Sequence, residues 1–131
     1  MLTNALLALL AAEPPPNAVL AEMALLHEAL VVTLVGVETA NVDAVPAAFH
    51  KVHAAKEETA RALDSGAWKP KAGTTVADFK KQDEAFHREL EKLVKAAAKK
   101  DVPATAKQLG AVITGCPACH AKFRPEPAKA P

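Results

Sequence analysis

The chain has 131 residues and a mass of 13.7 kDa, the size of one domain, with half of its residues hydrophobic, 24% charged and 4% aromatic. Alanine and leucine carry the apolar content and Tyr is absent, which argues for helix and against a β-sandwich; two cysteines exclude a disulfide-rich scaffold, and no apolar run approaches the roughly 20 residues of a membrane span. The net charge of +1 hides an asymmetry: residues 1–65 hold 3 Lys/Arg and 8 Asp/Glu, residues 66–131 hold 13 and 7, but the bases are interleaved with acids and only one Trp is present to stack bases, so solvated helix faces are expected rather than a nucleic-acid partner.

Residues 1–12 read as the remnant of an export signal. Leu6 to Ala12 form a short apolar core and Ala11 and Ala12 supply the small residues, without the usual basic n-region. The alternative is a first helical turn packed on the domain. Residues 13–16, Glu13 and three prolines, form a lead that breaks any helix.

Four helical segments follow, making residues 17–125 one domain and leaving 126–131 as a flexible tail. The first runs from Asn17, a good cap, to Thr39, with a seam at Val19, Met23, Leu26, Leu30, Leu34 and Val37. The second runs from Ala44 to Ser65 after Asp43 as cap, with Pro46 in its first turn. Its seam is Val45, Phe49, Val52, the Lys56 stem, Thr59 and Leu63. A loop rich in Pro and Gly spans 66–73. The third runs from Val76 to Lys100, capped by Thr75 with Asp78 three residues on. Its seam is Val76, Phe79, Asp83, Phe86, Leu90, Leu93 and Ala97. The fourth runs from Val102 to Phe123 behind Asp101, with a seam at Val102, Ala106, Leu109, Ile113, Cys116, His120 and Phe123. Pro117 predicts a local kink at Thr114-Gly115 or a break just before the cysteines. Four amphipathic segments with short connections predict an all-α, antiparallel four-helix bundle.

Residues 116–120 read Cys-Pro-Ala-Cys-His. The pattern C-x-x-C-H is the attachment signal for c-type haem. Two thiols about one helical turn apart can add to the two vinyl groups on one porphyrin edge, and the adjacent His120 then reaches the iron. Cys116 and His120 are four residues apart on the seam, which places one covalent haem c in the bundle core near the C-terminal helix. Three other readings compete. A thioredoxin-like pair needs a βαβ setting that this chain lacks. A zinc site needs a second pair of ligands at finger spacing, which His27, His50, His53 and His87 do not form. A Cys116–Cys119 disulfide gives His120 no role.

The stretch from Val102 to Arg124 resembles the last helix of the class II c-type cytochromes, the cytochrome c prime family and its low-spin relatives. That family carries an aromatic three residues after the ligand histidine and a basic residue four after it, matched here by Phe123 and Arg124. The resemblance implies a four-helix bundle with haem bound through Cys116 and Cys119, His120 as proximal ligand, and Arg124 beside a propionate. It also implies export to the bacterial periplasm, and pairing of two chains through the first two helices is common in the family.

The resemblance further implies that the first helix decides the sixth iron position. In cytochromes c prime an apolar residue blocks it and the iron binds NO or CO; in the low-spin relatives a Met fills it and the protein carries electrons. Met23 stands about four turns before Glu38-Thr39, where that ligand is expected, with core filling as its alternative role. His27, four residues on, is the rival ligand or a hydrogen-bonded edge residue. His50, His53 and His87 are expected at the surface or at seam edges. The Arg and Gln that often precede the distal residue in cytochromes c prime are replaced by Val19 and Leu20, which points away from gas binding. The expected function is therefore single-electron transfer by a non-enzyme with His/Met-ligated iron, steered by Lys122, Lys129 and the third-helix lysines toward an acidic redox partner. The alternatives are a five-coordinate NO/CO-binding protein and a haem-free metal or thiol protein.

Overall fold

A helix starts where a side chain satisfies the first free backbone donors, and three such starts are in place here. In the computed structural model, which describes residues 17–126, Asn17 accepts from the Leu20 amide at 2.9 Å, Thr75 from Asp78 at 3.0 Å and Asp101 from Ala104 at 3.0 Å. They open α1 (Ala18–Glu38), α3 (Val76–Ala98) and α4 (Val102–Phe123). The fourth expected cap is different: α2 (Val45–Ser65) follows Ala44 with no side-chain cap, and the Asp43 amide instead donates to Asn41 Oδ1. Pro46 sits in the first turn, where its missing N–H costs nothing. The expectations for residues 1–16 and for 127–131 lie outside the described residues.

The expected all-α antiparallel bundle is the observed fold. Each helix packs on two neighbours, α1 on α2 and α4, α3 on α2 and α4. The largest interfaces are α1–α2 and α3–α4, so the bundle is two hairpins laid together. The main core holds Leu26, Ala29, Val45, Phe49, Leu90, Leu93 and Val112. A second cluster at the other end holds Leu63, Phe79 and Phe123, with Trp68 and Cys119 against it. Phe79 stacks between Trp68 at 5.1 Å and Phe123 at 5.4 Å. The Lys71 amide donates to the Phe123 carbonyl at 2.9 Å, which ties the α2–α3 loop to the end of α4.

Seams on α2 and α3 fall where their periodicity puts them. The seam on α1 does so in part: Val19 and Leu26 are buried and Met23, Leu30 and Val37 pack on the core, but Leu34 faces out. The buried residues of α1 are Val19, Glu22, Leu26, Ala29, Thr33 and Gly36, while Leu34 is exposed together with Leu20, Val31 and Val35. The helix is apolar all round, so spacing alone does not fix which side faces in. By length and composition α1 is apolar enough to cross a membrane, with an 18-residue window of mean hydropathy 1.9. The sequence expectation missed this because Glu22, His27 and Glu28 interrupt the run. Thr33 is satisfied within the helix by the Ala29 carbonyl at 2.8 Å. Gly36 is required by space: a Cβ there would lie 2.7 Å from the Asn41 carbonyl oxygen of the following turn.

α4 runs unbroken through Pro117, so there is no break just before the cysteines. Pro117 cannot donate to the Ile113 carbonyl, and both residues lie on an exposed face where water can take the donor's place. α3 ends at Ala98, short of the expected Lys100, because Lys100 turns left-handed at φ 58°.

Candidate functional site

The N-terminal halves of α1 and α3 meet the C-terminal end of α4 at one end of the bundle, and a cleft of about 460 Å³ opens between them. All the candidate residues read from the sequence line it. Met23 and His27 come from α1; Cys116, Cys119, His120, Phe123 and Arg124 come from α4 and its cap. Leu26, Leu30, Phe79 and Phe86 make the remaining walls largely apolar, and Trp68 closes the loop side. Met23 and Phe86 pack on the main core, Cys119 on the aromatic cluster, so the cleft lies between the two cores.

Burial differs along the motif. Cys116 and Cys119 are half-buried free thiols, Phe123 is fully buried, and His120 and Arg124 are exposed. The buried face of α4 is Thr105, Leu109, Val112 and Phe123, so His120 and Ile113 are not on it. The two thiols face the cleft between the cores and His120 stands at its rim. The reason is the register of the last turns: Cys116 and Cys119, seven residues after Leu109 and Val112, continue the inward face, and His120, one residue past Cys119, lies about 100° round the helix. Lys122 lies beside the Phe123 ring at 5.0 Å.

His87 is the clearest departure from the sequence reading. It is buried, not at the surface or an edge, and its Nε2 lies 2.9 Å from Glu22 Oε1 and 3.6 Å from Asp83 Oδ1. Glu22 itself is 1% exposed. Sequence signals for this cluster existed: Asp83 interrupts an apolar seam, His87 follows it by four residues, and Glu22 is an acid in an apolar helix. His50 and His53 are exposed and line a separate groove of about 290 Å³ between α2 and α3.

Electrostatics keep the thiols protonated. Burial pushes both Cys116 and Cys119 above the usual thiol range, and the Asp83 carboxylate, then Cys116, add to the shift at Cys119. Burial also raises the Asp83 carboxyl, opposed by His87. Alkylation needs the thiolate, so a raised pKa moves the rate-against-pH curve to higher pH. In the haem-free protein, iodoacetamide labelling of both cysteines is expected to rise at higher pH than for an unhindered thiol. Asp83→Asn is expected to move the Cys119 curve back toward lower pH and leave that of Cys116 in place. Peptide-resolved mass spectrometry checks this, and a Cys119 curve that ignores the substitution contradicts it.

A protein-family model described as Cytochrome C' matches residues 18–124. No curated protein and no solved structure gives a match to the chain.

Proposed function

The chain belongs to the cytochrome c prime family of haem-binding helical bundles, and from that premise we propose that it is an exported, periplasmic single-electron carrier with Met23 opposite His120 on one covalently held haem. The donor set fits the group. One turn of α4 offers two thiols and an imidazole to the cleft, α1 offers a thioether across from them, and the walls between are apolar. Haem supplies the one-electron ferric–ferrous couple when bound.

The chain's residues divide the remaining tasks. Cys116 and Cys119 would hold the group through two thioethers, each made by adding S–H across a vinyl double bond with no oxidant required. His120 would supply the proximal nitrogen. Met23, a soft donor, would fill the sixth position and favour the reduced state. Arg124, at the rim, is placed to meet a propionate. Phe79, Phe86 and Phe123 keep water from the apolar walls. Exposed Lys122, next to the motif, would steer an acidic redox partner toward the cleft, with the lysines of α3 adding to the positive charge of that half of the chain.

The observation that supports this reading is Met23 lining the same cleft as Cys116, Cys119 and His120. A second reading, NO or CO binding at a five-coordinate iron, is favoured by the matched family's description and by Met23 packing on the core as a filler. Optical spectra of protein matured with the c-type haem assembly machinery, with and without CO, separate the two. Sharp low-spin bands indifferent to CO are expected. A broad high-spin spectrum that shifts with CO transfers the site to the second reading, and absence of covalent haem defeats both.

A further inference from the structure

The rotation of α1 about its own axis decides which residues face the cleft, and apolar burial alone does not fix that rotation. The observed phase buries Val19, Leu26 and Ala29 together with Glu22, Thr33 and Gly36, and leaves Leu34 and Val35 about half exposed. Turning the helix by one residue, roughly 100°, would bring Leu20, Leu30 and Leu34 inward with His27 in one direction, or Leu25, Val32 and Val35 with Glu28 in the other. Apolar area alone therefore chooses weakly between these orientations, and the polar residues decide.

Besides the cost of carrying His27 or Glu28 inward, two features bear on such a turn, and only one of them acts between helices. Gly36 packs on Asn41 and Val42, which belong to the turn leaving α1, so this contact constrains the hairpin corner. Thr33 bonds within its own helix and is satisfied in any orientation. Glu22 is different. Its carboxylate sits in the interior against the imidazole of His87 on α3, at 2.9 Å, and α3 otherwise does not pack directly on α1. Asp83, one turn earlier on α3, has its Oδ1 3.6 Å from the same Nε2. A rotation that carried Glu22 out of this position would take from the buried imidazole its one partner at hydrogen-bond distance, and a rotation that left Glu22 buried elsewhere would leave its polar head without one.

We infer that the Glu22–His87 pair is a positioning device: it pins the rotation of α1 and thereby directs Met23 and His27 into the cleft. The pair is not needed as a source of stability. Replacing a buried polar or charged pair by apolar residues of similar volume is often neutral or stabilising, and the best-attested role of such pairs is to select one register among several. Glu22 and Met23 are adjacent on α1, so the pin sits one residue from the side chain it orients. The functional consequence rests on the proposed haem site; the rotation itself does not.

The test uses the haem-loaded protein, in which Cys116 and Cys119 are held as thioethers, and introduces one reporter thiol. Thr33→Cys is nearly isosteric and places the reporter at a fully buried site; Val35→Cys is the exposed control. In the background Glu22→Leu with His87→Leu, helical content is expected to persist. The Thr33→Cys reporter is expected to label about tenfold faster or more, since protection falls as alternative orientations become populated. The optical spectrum is expected to split into mixed ligation states. Exchanging the pair, Glu22→His with His87→Glu, restores the contact and is expected to restore slow labelling and one spectral form. Slow labelling in the apolar background overturns the inference, and so does its failure to fold, which would make the pair a stability element. Fast labelling in the exchanged variant overturns it as well. Labelling is read by peptide mass and does not depend on Met23 binding iron. Fast labelling beside a high-spin wild-type spectrum therefore sustains the pin while the His/Met reading falls.

Discussion

Met23→Leu in the haem-loaded protein is expected to turn a low-spin, CO-insensitive spectrum into a broad high-spin one that shifts on adding CO. Leu and Met have similar volumes, and such exchanges cost less than about 1.5 kcal/mol in a packed core. Met23 is partly buried against the main core, so Leu keeps the packing and removes only the sulfur. The fold is expected to survive and the ligand to be lost. The midpoint potential is expected to fall, because a thioether favours the reduced iron. A drop on the order of 100 mV is modest against the roughly 0.8 V that axial ligands span. Optical titration measures both. A variant that stays low-spin removes Met23 from the iron; if His27→Ala then gives the high-spin form, the sixth position belongs to His27, which lines the same cleft.

Loss of both thiols has the second large effect. Cys116→Ser with Cys119→Ser is expected to abolish haem that survives denaturing electrophoresis, while each single variant retains one thioether and a reduced haem stain. The double variant still presents His120 and the apolar walls, so reversible haem binding is expected to persist. Its melting temperature is expected to depend on added haem, as for any ligand that binds only the folded state. The serines replace half-buried thiols, so helical content is expected to hold. Haem stain undiminished in the double variant would falsify the covalent assignment.

Legibility in the sequence followed local chemistry. Caps at Asn17, Thr75 and Asp101 were readable because each is a short-range contact between a side chain and an amide three residues on. The seams of α2 and α3 were readable because charged residues mark their outer faces. α1 has too few charges to mark one, and its orientation depends on His87, sixty-five residues away. His87 was misplaced for the same reason: its burial comes from a partner on another helix. The motif at Cys116 to His120 was legible as chemistry, since its spacing is the signal. The seating of His120 at the rim was not, because it depends on how the end of α4 is held, and the α2–α3 loop fastens that end through Lys71. Trp68 went unread as a wall of the cleft because a loop carries no periodicity to locate it.

The division into two hairpins has a consequence for how the protein is made. Cys116, Cys119 and His120 belong to the α3–α4 hairpin, whose connection is residues 99–101, whereas Met23 belongs to the α1–α2 hairpin. Bringing the two hairpins together closes longer stretches of chain than forming either one, and so costs more loop entropy. The two sides of the proposed site therefore meet only where one hairpin docks on the other, through α1–α4 and α2–α3, and its assembly is as sensitive to that docking as to any residue in the cleft.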